Sequence, residues 1–153
     1  MKISVNAGTA DKWSGVLLII GILEGQLDNP LNLLEERFGK QSKDCFERNK
    51  FSGKKNESLT FHLLDRNPEK VICVGLGKPE ELLLTDFQKA AALGARSSLG
   101  SAGKLGVLFP WDLFRTEEAA AAVAEAIRLS FFKDQRFRGK PDVQTTPDEL
   151  VLL

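Results

Sequence analysis

The sequence holds one histidine, His62, and two cysteines, Cys45 and Cys73. So few ligands leave no zinc pattern, and no H-E-x-x-H motif is present. A Ser-His-Asp arrangement would have to use His62, with Asp65 nearby in sequence, but no G-x-S-x-G elbow accompanies it. A histidine on a strand face or at a strand end is the simpler reading. Two cysteines do not make a secreted disulfide framework. Cys73 reads as a small core residue and Cys45 falls on a short predicted helix, so a reducing, cytoplasmic setting is expected. An excess of charge is missing too. Lys and Arg number 21 and Asp and Glu number 21, so no net field draws the chain to nucleic acid or to an anionic membrane. The apolar run Val16 to Ile20 falls far short of the roughly 20 residues that span a bilayer. The opening M-K-I-S-V-N has no apolar h-region, and no signal peptide is expected. There is no internal repeat, and the one biased tract is alanine-rich, near residue 120.

What is present is ordinary for a globular chain: 42% apolar and 27% charged residues in 153. That length suits one domain, which buries roughly 68–70% of its unfolded surface without disulfides or metal. The stretch around which the rest is arranged is Lys70 to Leu82. Val71 to Val74 run apolar without a polar break and are rich in β-branched side chains, so they predict a central strand buried on both faces. Gly75-Leu76-Gly77 then predicts a loop, with Pro79 ending any extended run. Thr85 and Gln88 fit a capping box for the helix that follows. In open α/β sheets a loop after a central strand is where ligands usually sit.

Taken in order, Lys2 to Val5 predicts a first strand and Ala7 to Gly15 a loop. Val16 to Leu23 predicts a second buried strand. Asn29 is the expected cap of a helix with Pro30 at its first position, Leu31, Leu34 and Phe38 on one face, and Gly39 as its stop. Ser42 is the expected cap of a short helix through Asn49, with Cys45 and Phe46 inward. Phe51 to Asn56 is a basic turn. Leu59 to Leu64 alternates as a strand, with Leu59, Phe61 and Leu63 on one face. The helix Thr85 to Leu99 carries Ala90, Ala91, Gly94 and Ala95 inward, small enough to lie close on a sheet. Leu105 to Phe109 is the next strand. Thr116 caps a long helix with Glu117 and Glu118 at its positive end and an inward stripe through Val123, Ile127 and Phe131. Asp142 to Asp148 reads as a polar linker. The apolar Leu150 to Leu153 then reads as the start of a further domain, expected to be mobile here or held by another copy. Alternating strands and helices predict a mixed or mostly parallel sheet of five or six strands with helices on both faces.

Three further features could carry chemistry. Gly75-Leu76-Gly77 could approach a phosphate, but Glu80 stands where G-x-G-x-x-G needs its third glycine, and Pro79 where a P-loop needs Ser or Thr. Glu35-Glu36, Glu80-Glu81 and Glu117-Glu118 are adjacent pairs, which on a helix do not face one another. Lys133 to Lys140 interleaves cations with Phe137, as single-strand binders do, but it also fits a solvated helix end.

In order along residues 2–153, several pieces resemble the amino-terminal domain of the M17 leucyl (cytosol) aminopeptidases. W-S-G-V-L-L-I-I-G-I-L-E resembles a W-x-G-D-x-L-x-x-G-x-F-E strand, and F-S-G-K-K-N-E-S an F-x-G-K-x-G-E turn. V-I-C-V-G-L-G-K-P-E-E-L with T-D-F-Q-K-A-A-A-L-G-A-R resembles the middle of that domain. E-A-A-A-A-V-A-E-A-I-R-L-S-F-F-K-D-Q-R-F resembles its last helix and basic aromatic tail, and P-D-E-L-V-L-L the passage to the peptidase domain. Two departures are local: Val16 stands for the acidic residue, and Lys55-Asn56 for a small-Gly pair.

The resemblance implies a macro-domain-like, three-layer α/β/α fold over residues 1–140. Residues 141–153 would be a linker and first segment leading to a catalytic domain. The role implied is non-catalytic: support of assembly, a hexamer in the family, and control of access to the active site of a peptide-cleaving enzyme. Two divalent metals, zinc or manganese, would belong to that other domain. No catalytic, cofactor-binding or metal residue is expected in this chain. The other functions weighed are an ADP-ribose-type ligand module, for which Asn6-Ala7-Gly8 and the Gly100 to Gly106 turn are weak echoes, and a DNA-binding accessory through Lys133 to Lys140. Nucleic acid and membrane are not expected partners.

Overall fold

The two uninterrupted apolar runs become neighbouring central strands. The computed structural model describes residues 1–6, 12–132 and 144–153. Its elements are β1 (Lys2–Val5), β2 (Leu17–Leu23), α1 (Asp28–Phe38), α2 (Lys40–Asn49), β3 (Ser58–His62), β4 (Lys70–Gly77), α3 (Leu84–Ser97), β5 (Lys104–Leu108), α4 (Thr116–Phe131) and β6 (Glu149–Leu152). Single 3-10 turns lie at Pro79–Glu81 and Trp111–Leu113. The six strands form one sheet in the order β1-β6-β5-β2-β4-β3, and only β3 runs antiparallel to its neighbour. This is the three-layer α/β/α architecture expected.

Alternation sorts the strand residues onto two cores. Leu17, Ile19, Ile72, Val74, Leu105, Val107, Leu150 and Leu152 face α3 and α4, with Phe87, Ala91, Ala95, Val123 and Ile127. Leu18, Ile20, Val71, Cys73 and Val151 face α1 and α2, with Leu34, Phe38 and Phe46. Gly94 is where α3 lies closest to β2: a Cβ there would sit 2.9 Å from Ile19 side-chain carbons. Trp13 lies flat over the start of the sheet, because a Cβ on Gly15 or Gly106 would fall 2.1 or 2.7 Å from its ring. Its indole N–H donates to the Leu17 carbonyl at 3.1 Å, so the ring is buried with its polar atom satisfied.

The structure corrects several expectations. Leu150 to Leu152 pack within this domain's own sheet rather than standing apart from it. Glu149–Leu152 is the sixth strand, inserted between β1 and β5, with Leu150 fully buried. The approach to it is pinned as well: Gly100 N–H donates to Thr145 O, Asp148 N–H to Gly103 O, and Lys2 N–H to Asp148 O. Glu149 accepts from the Ser4 hydroxyl and lies near Lys104 and Lys2, and those contacts hold its carboxyl below the usual range. An apolar run after a polar stretch looks like a new beginning in one dimension; in three it fills a gap left between β1 and β5.

The other differences concern ends. α1 starts at Asp28 after Leu27, which puts Pro30 third rather than first. α2 starts at Lys40, and Ser42 sits buried inside it, donating its hydroxyl to Gly39 O. α4 contains Thr116 as its first residue after Arg115. α3 begins at Leu84, not after Thr85, and its reciprocal cap joins Leu83 and Asp86. β3 stops at His62. β4 continues to Gly77 instead of ending in a glycine loop at Gly75.

Candidate functional site

The extension of β4 has a cause in the turn before β3. Gly53, with φ of 81°, and Asn56, with φ of 68°, fold residues 52–57 back on themselves. Glu57 fastens the fold: its carboxylate accepts from Ser52 N–H at 2.9 Å, from the Ser52 hydroxyl at 3.1 Å and from Lys54 N–H at 3.2 Å. Burial alone would push that carboxyl up, but the Ser52, Lys54 and Gly53 donors together bring it below its ordinary value. The turn then lies across the end of β4. Gly75 N–H donates to Glu57 O at 2.9 Å and Gly77 N–H to Gly53 O at 2.8 Å. A side chain at Gly75 is excluded, since its Cβ would stand 1.9 Å from Lys54 O. The glycines are therefore a seat for another stretch of backbone, not a phosphate loop.

Lys55 closes the arrangement. Its alkyl stem passes over Gly77, where a Cβ would meet it at 2.7 Å, and its ammonium reaches Asp86 Oδ2 at 2.9 Å. Asp86 also accepts from Leu83 N–H at 2.9 Å, in the first turn of α3. Burial opposes its charge, but Lys55, Leu83 N–H and Lys89 outweigh it and hold the carboxyl below the usual range. The F-S-G-K-K-N-E motif is a clasp tying the turn to β4 and to α3.

The crevice in which α/β sheets usually take ligands lies at the carboxyl ends of β2, β4 and β5, where the chain leaves β4 through α3 and crosses to the far side of β2. Aromatic rings fill it. Phe87 meets Phe109 edge-on at 5.1 Å and Phe114 at 5.0 Å, and Phe109 stacks with Trp111 at 5.6 Å. Gly21 admits the Phe109 ring, which would stand 2.7 Å from any Cβ there. The Trp111 indole N–H donates to Leu153 O, tying the end of β6 to this cluster. Sequence reasoning missed this group. The signal was F-P-W-D-L-F directly after β5, too many rings for a plain turn.

The remaining candidates are dispersed. His62 is exposed at the end of the edge strand β3, at the opposite end of the sheet from the crevice. It borders a groove of about 490 Å³ lined also by Asp44, Cys45, Arg48 and Phe61. Asp65 lines a second hollow of about 450 Å³ beside it. Burial pushes the Cys73 thiol up, as suits a core residue. Glu36, Glu80, Glu81, Glu117 and Glu118 are solvent-exposed. Among the described residues no three His, Cys, Asp or Glu side chains cluster as metal ligands would. Lys133 to Lys140, Ala7 and Gly8 lie outside the described residues. No described helix is long and apolar enough to cross a membrane.

Such a domain, with aromatic rings packed at the strand ends and its one conspicuous motif used as a clasp, is an α/β/α module on a six-stranded, mostly parallel sheet. Its family is shown by comparison. Residues 19–141 match the N-terminal domain of the cytosol aminopeptidase family, and the chain belongs to that family. It is 42% identical over 153 residues to a probable cytosol aminopeptidase of Prochlorococcus marinus (strain MIT 9313), covering all of this chain and 31% of that protein. A probable cytosol aminopeptidase of Synechococcus sp. (strain CC9311) is 39% identical with the same coverage. The chain thus spans about a third of the length of these curated relatives. Among solved structures, the tomato leucine aminopeptidase mutant K354E superposes with a TM-score of 0.84 at 24% identity, over all of this chain and 32% of that one. The bottromycin maturation enzyme BotP, in complex with Mn, gives 0.62 at 19% identity over 90% of this chain and 26% of that one. At those identities the likeness speaks to the fold.

Proposed function

We propose that this chain is the non-catalytic amino-terminal domain of a leucyl aminopeptidase, an enzyme that removes amino-terminal residues from peptides in the cytoplasm. The observation that carries the reading is the coverage: relatives named as probable cytosol aminopeptidases match it end to end, yet extend to about three times its length. The catalytic domain follows residues 141–153 and carries two divalent ions, zinc or manganese. Such ions lower the pKa of bound water and polarise the scissile carbonyl. On this reading the domain's part is to hold its partner domain, support a homo-oligomer and shape access for peptides.

The test is an assay of this chain against leucine amides with manganese or zinc, beside a chimera. In the chimera the chain replaces the matching stretch of the Prochlorococcus marinus relative. The isolated chain should show no turnover and the chimera should be active. Hydrolysis by the chain alone would overturn the division of labour.

A further inference from the structure

β3 is an edge of the sheet, and it carries none of the devices that usually keep an edge from pairing. Ser58–His62, S-L-T-F-H, holds no proline, lysine or acid, and its register with β4 runs without a bulge. The opposite edge, β1, is four residues long and starts with Lys2. The hydrogen bonds of β3 are fixed at both ends. Gly75 N–H donates to Glu57 O at 2.9 Å, and Leu63 N–H donates to Glu69 O at 2.7 Å. Odd-numbered residues from Glu57 to Leu63 therefore turn their main-chain groups to β4, and Ser58, Thr60 and His62 turn theirs outward. Among the described residues no other backbone group bonds to those three. The groove of about 490 Å³ follows the same edge, with Asp44 and Arg48 of α2 on one side and Phe61 and His62 of β3 on the other. Asp44 and Arg48 are exposed, one helical turn apart, and form no ion pair among the described residues.

We propose that β3 pairs with β3 of a second copy of this chain, antiparallel about a two-fold axis through Thr60. The inference rests on the reading given above, in which the domain supports a homo-oligomer, and names the edge that does so. The outward residues are spaced evenly about Thr60, so the axis satisfies all of them at once. Thr60 exchanges both main-chain bonds with Thr60 of the partner subunit, and Ser58 and His62 do so with the partner's His62 and the partner's Ser58. Centring the axis on Ser58 or His62 would leave outward groups without partners. On the α2 side, Phe61 comes to lie opposite the partner's Leu59, which covers a ring that is half-buried in the single chain. The charges choose a second copy over a foreign strand. A two-fold exchanges the ends of α2, so Asp44 approaches the partner's Arg48 and Arg48 the partner's Asp44. One acid and one base are complementary to their own image and to no strand of a single sign.

Sedimentation equilibrium of the isolated chain over a range of concentrations is the test. The chain should approach twice its monomer mass. Thr60→Pro removes the central outward N–H at a position where an edge strand accepts proline, and should leave a folded monomer. Arg48→Asp sets acid against acid across the axis and should weaken association at least about tenfold. Asp44→Arg with Arg48→Asp restores the complementarity and should recover the dimer. Both residues are exposed, so these charge variants fold as the parent does and decide the matter should Thr60→Pro unfold. A chain that stays monomeric at every concentration would overturn the pairing. So would a dimer that Arg48→Asp leaves as tight as before. If the chimera described above is active while the isolated chain is monomeric, the edge is overturned and the functional reading stands. An inactive chimera beside a dimer that responds to the charge exchange overturns that reading and upholds the pairing.

Discussion

Replacing Gly75 by alanine tests the clasp most directly. One methyl group is added to a central strand, 1.9 Å from Lys54 O and 2.8 Å from the carbonyl carbons of Gly53 and Lys54. All three are backbone atoms of a turn held by Glu57, so no side chain can rotate away. Overpacking of this kind costs about 1–3 kcal/mol. A Cβ at that distance also forces the turn to lift, which gives up the bonds from Gly75 N–H and Gly77 N–H, at about 1 kcal/mol each. Together these predict a loss of about 3–5 kcal/mol, or roughly 6–20 °C in melting temperature for a domain of this size. The control is Gly25→Ala. Gly25 has φ of 80° with nothing within 4 Å of a built Cβ, so only backbone strain of about 1–2 kcal/mol applies. Thermal unfolding followed by circular dichroism reads both. If Gly75→Ala melts within about 2 °C of the parent chain, or no lower than Gly25→Ala, the turn does not sit on β4 as described.

Other consequences are as direct. Asp86→Asn removes the Lys55 ion pair and weakens the cap at Leu83, and should cost about 1–2 kcal/mol near neutral pH. Because the Asp86 carboxyl is held below its ordinary value of 3.8, its contribution is complete above that pH and disappears as pH falls through the lower folded value. The parent and Asp86→Asn melting curves should therefore converge below about pH 4, and a gap that stays constant in acid would refute the pairing. Trp13→Ala should cost about 3–5 kcal/mol by leaving the slot over Gly15 and Gly106 empty, measured by urea denaturation. Leu150→Ala should cost about 2–5 kcal/mol if β6 belongs to this sheet, whereas a free tail would tolerate it without change.

The fold was legible where a residue's surroundings follow from its own neighbours. Val71 to Val74 and the run from Leu17 to Leu23 are apolar on both faces, and only a strand covered by helices on both sides suits that. The alanines of α3 announced a helix lying close on a sheet. The helix starts were misplaced by one to three residues; at α3 the oxygen that accepts at the cap belongs to Asp86, reaching backward, and not to Thr85. The W-x-G spacing was visible as a motif, but nothing local says that the tryptophan covers Gly106, more than ninety residues on.

What the sequence determined by itself was the alternation of elements, the two-sided burial of β2 and β4, and a family resemblance that the comparisons bear out. What only the tertiary structure decided was pairing across distance. Gly75 is strand because a turn some twenty residues earlier lies on it, the crevice is filled because four rings from α3 and the β5–α4 connection converge there, and Glu149–Leu152 complete the sheet. Local propensity depends on neighbours in the chain; each of these outcomes depends on which backbone or ring occupies the adjoining space.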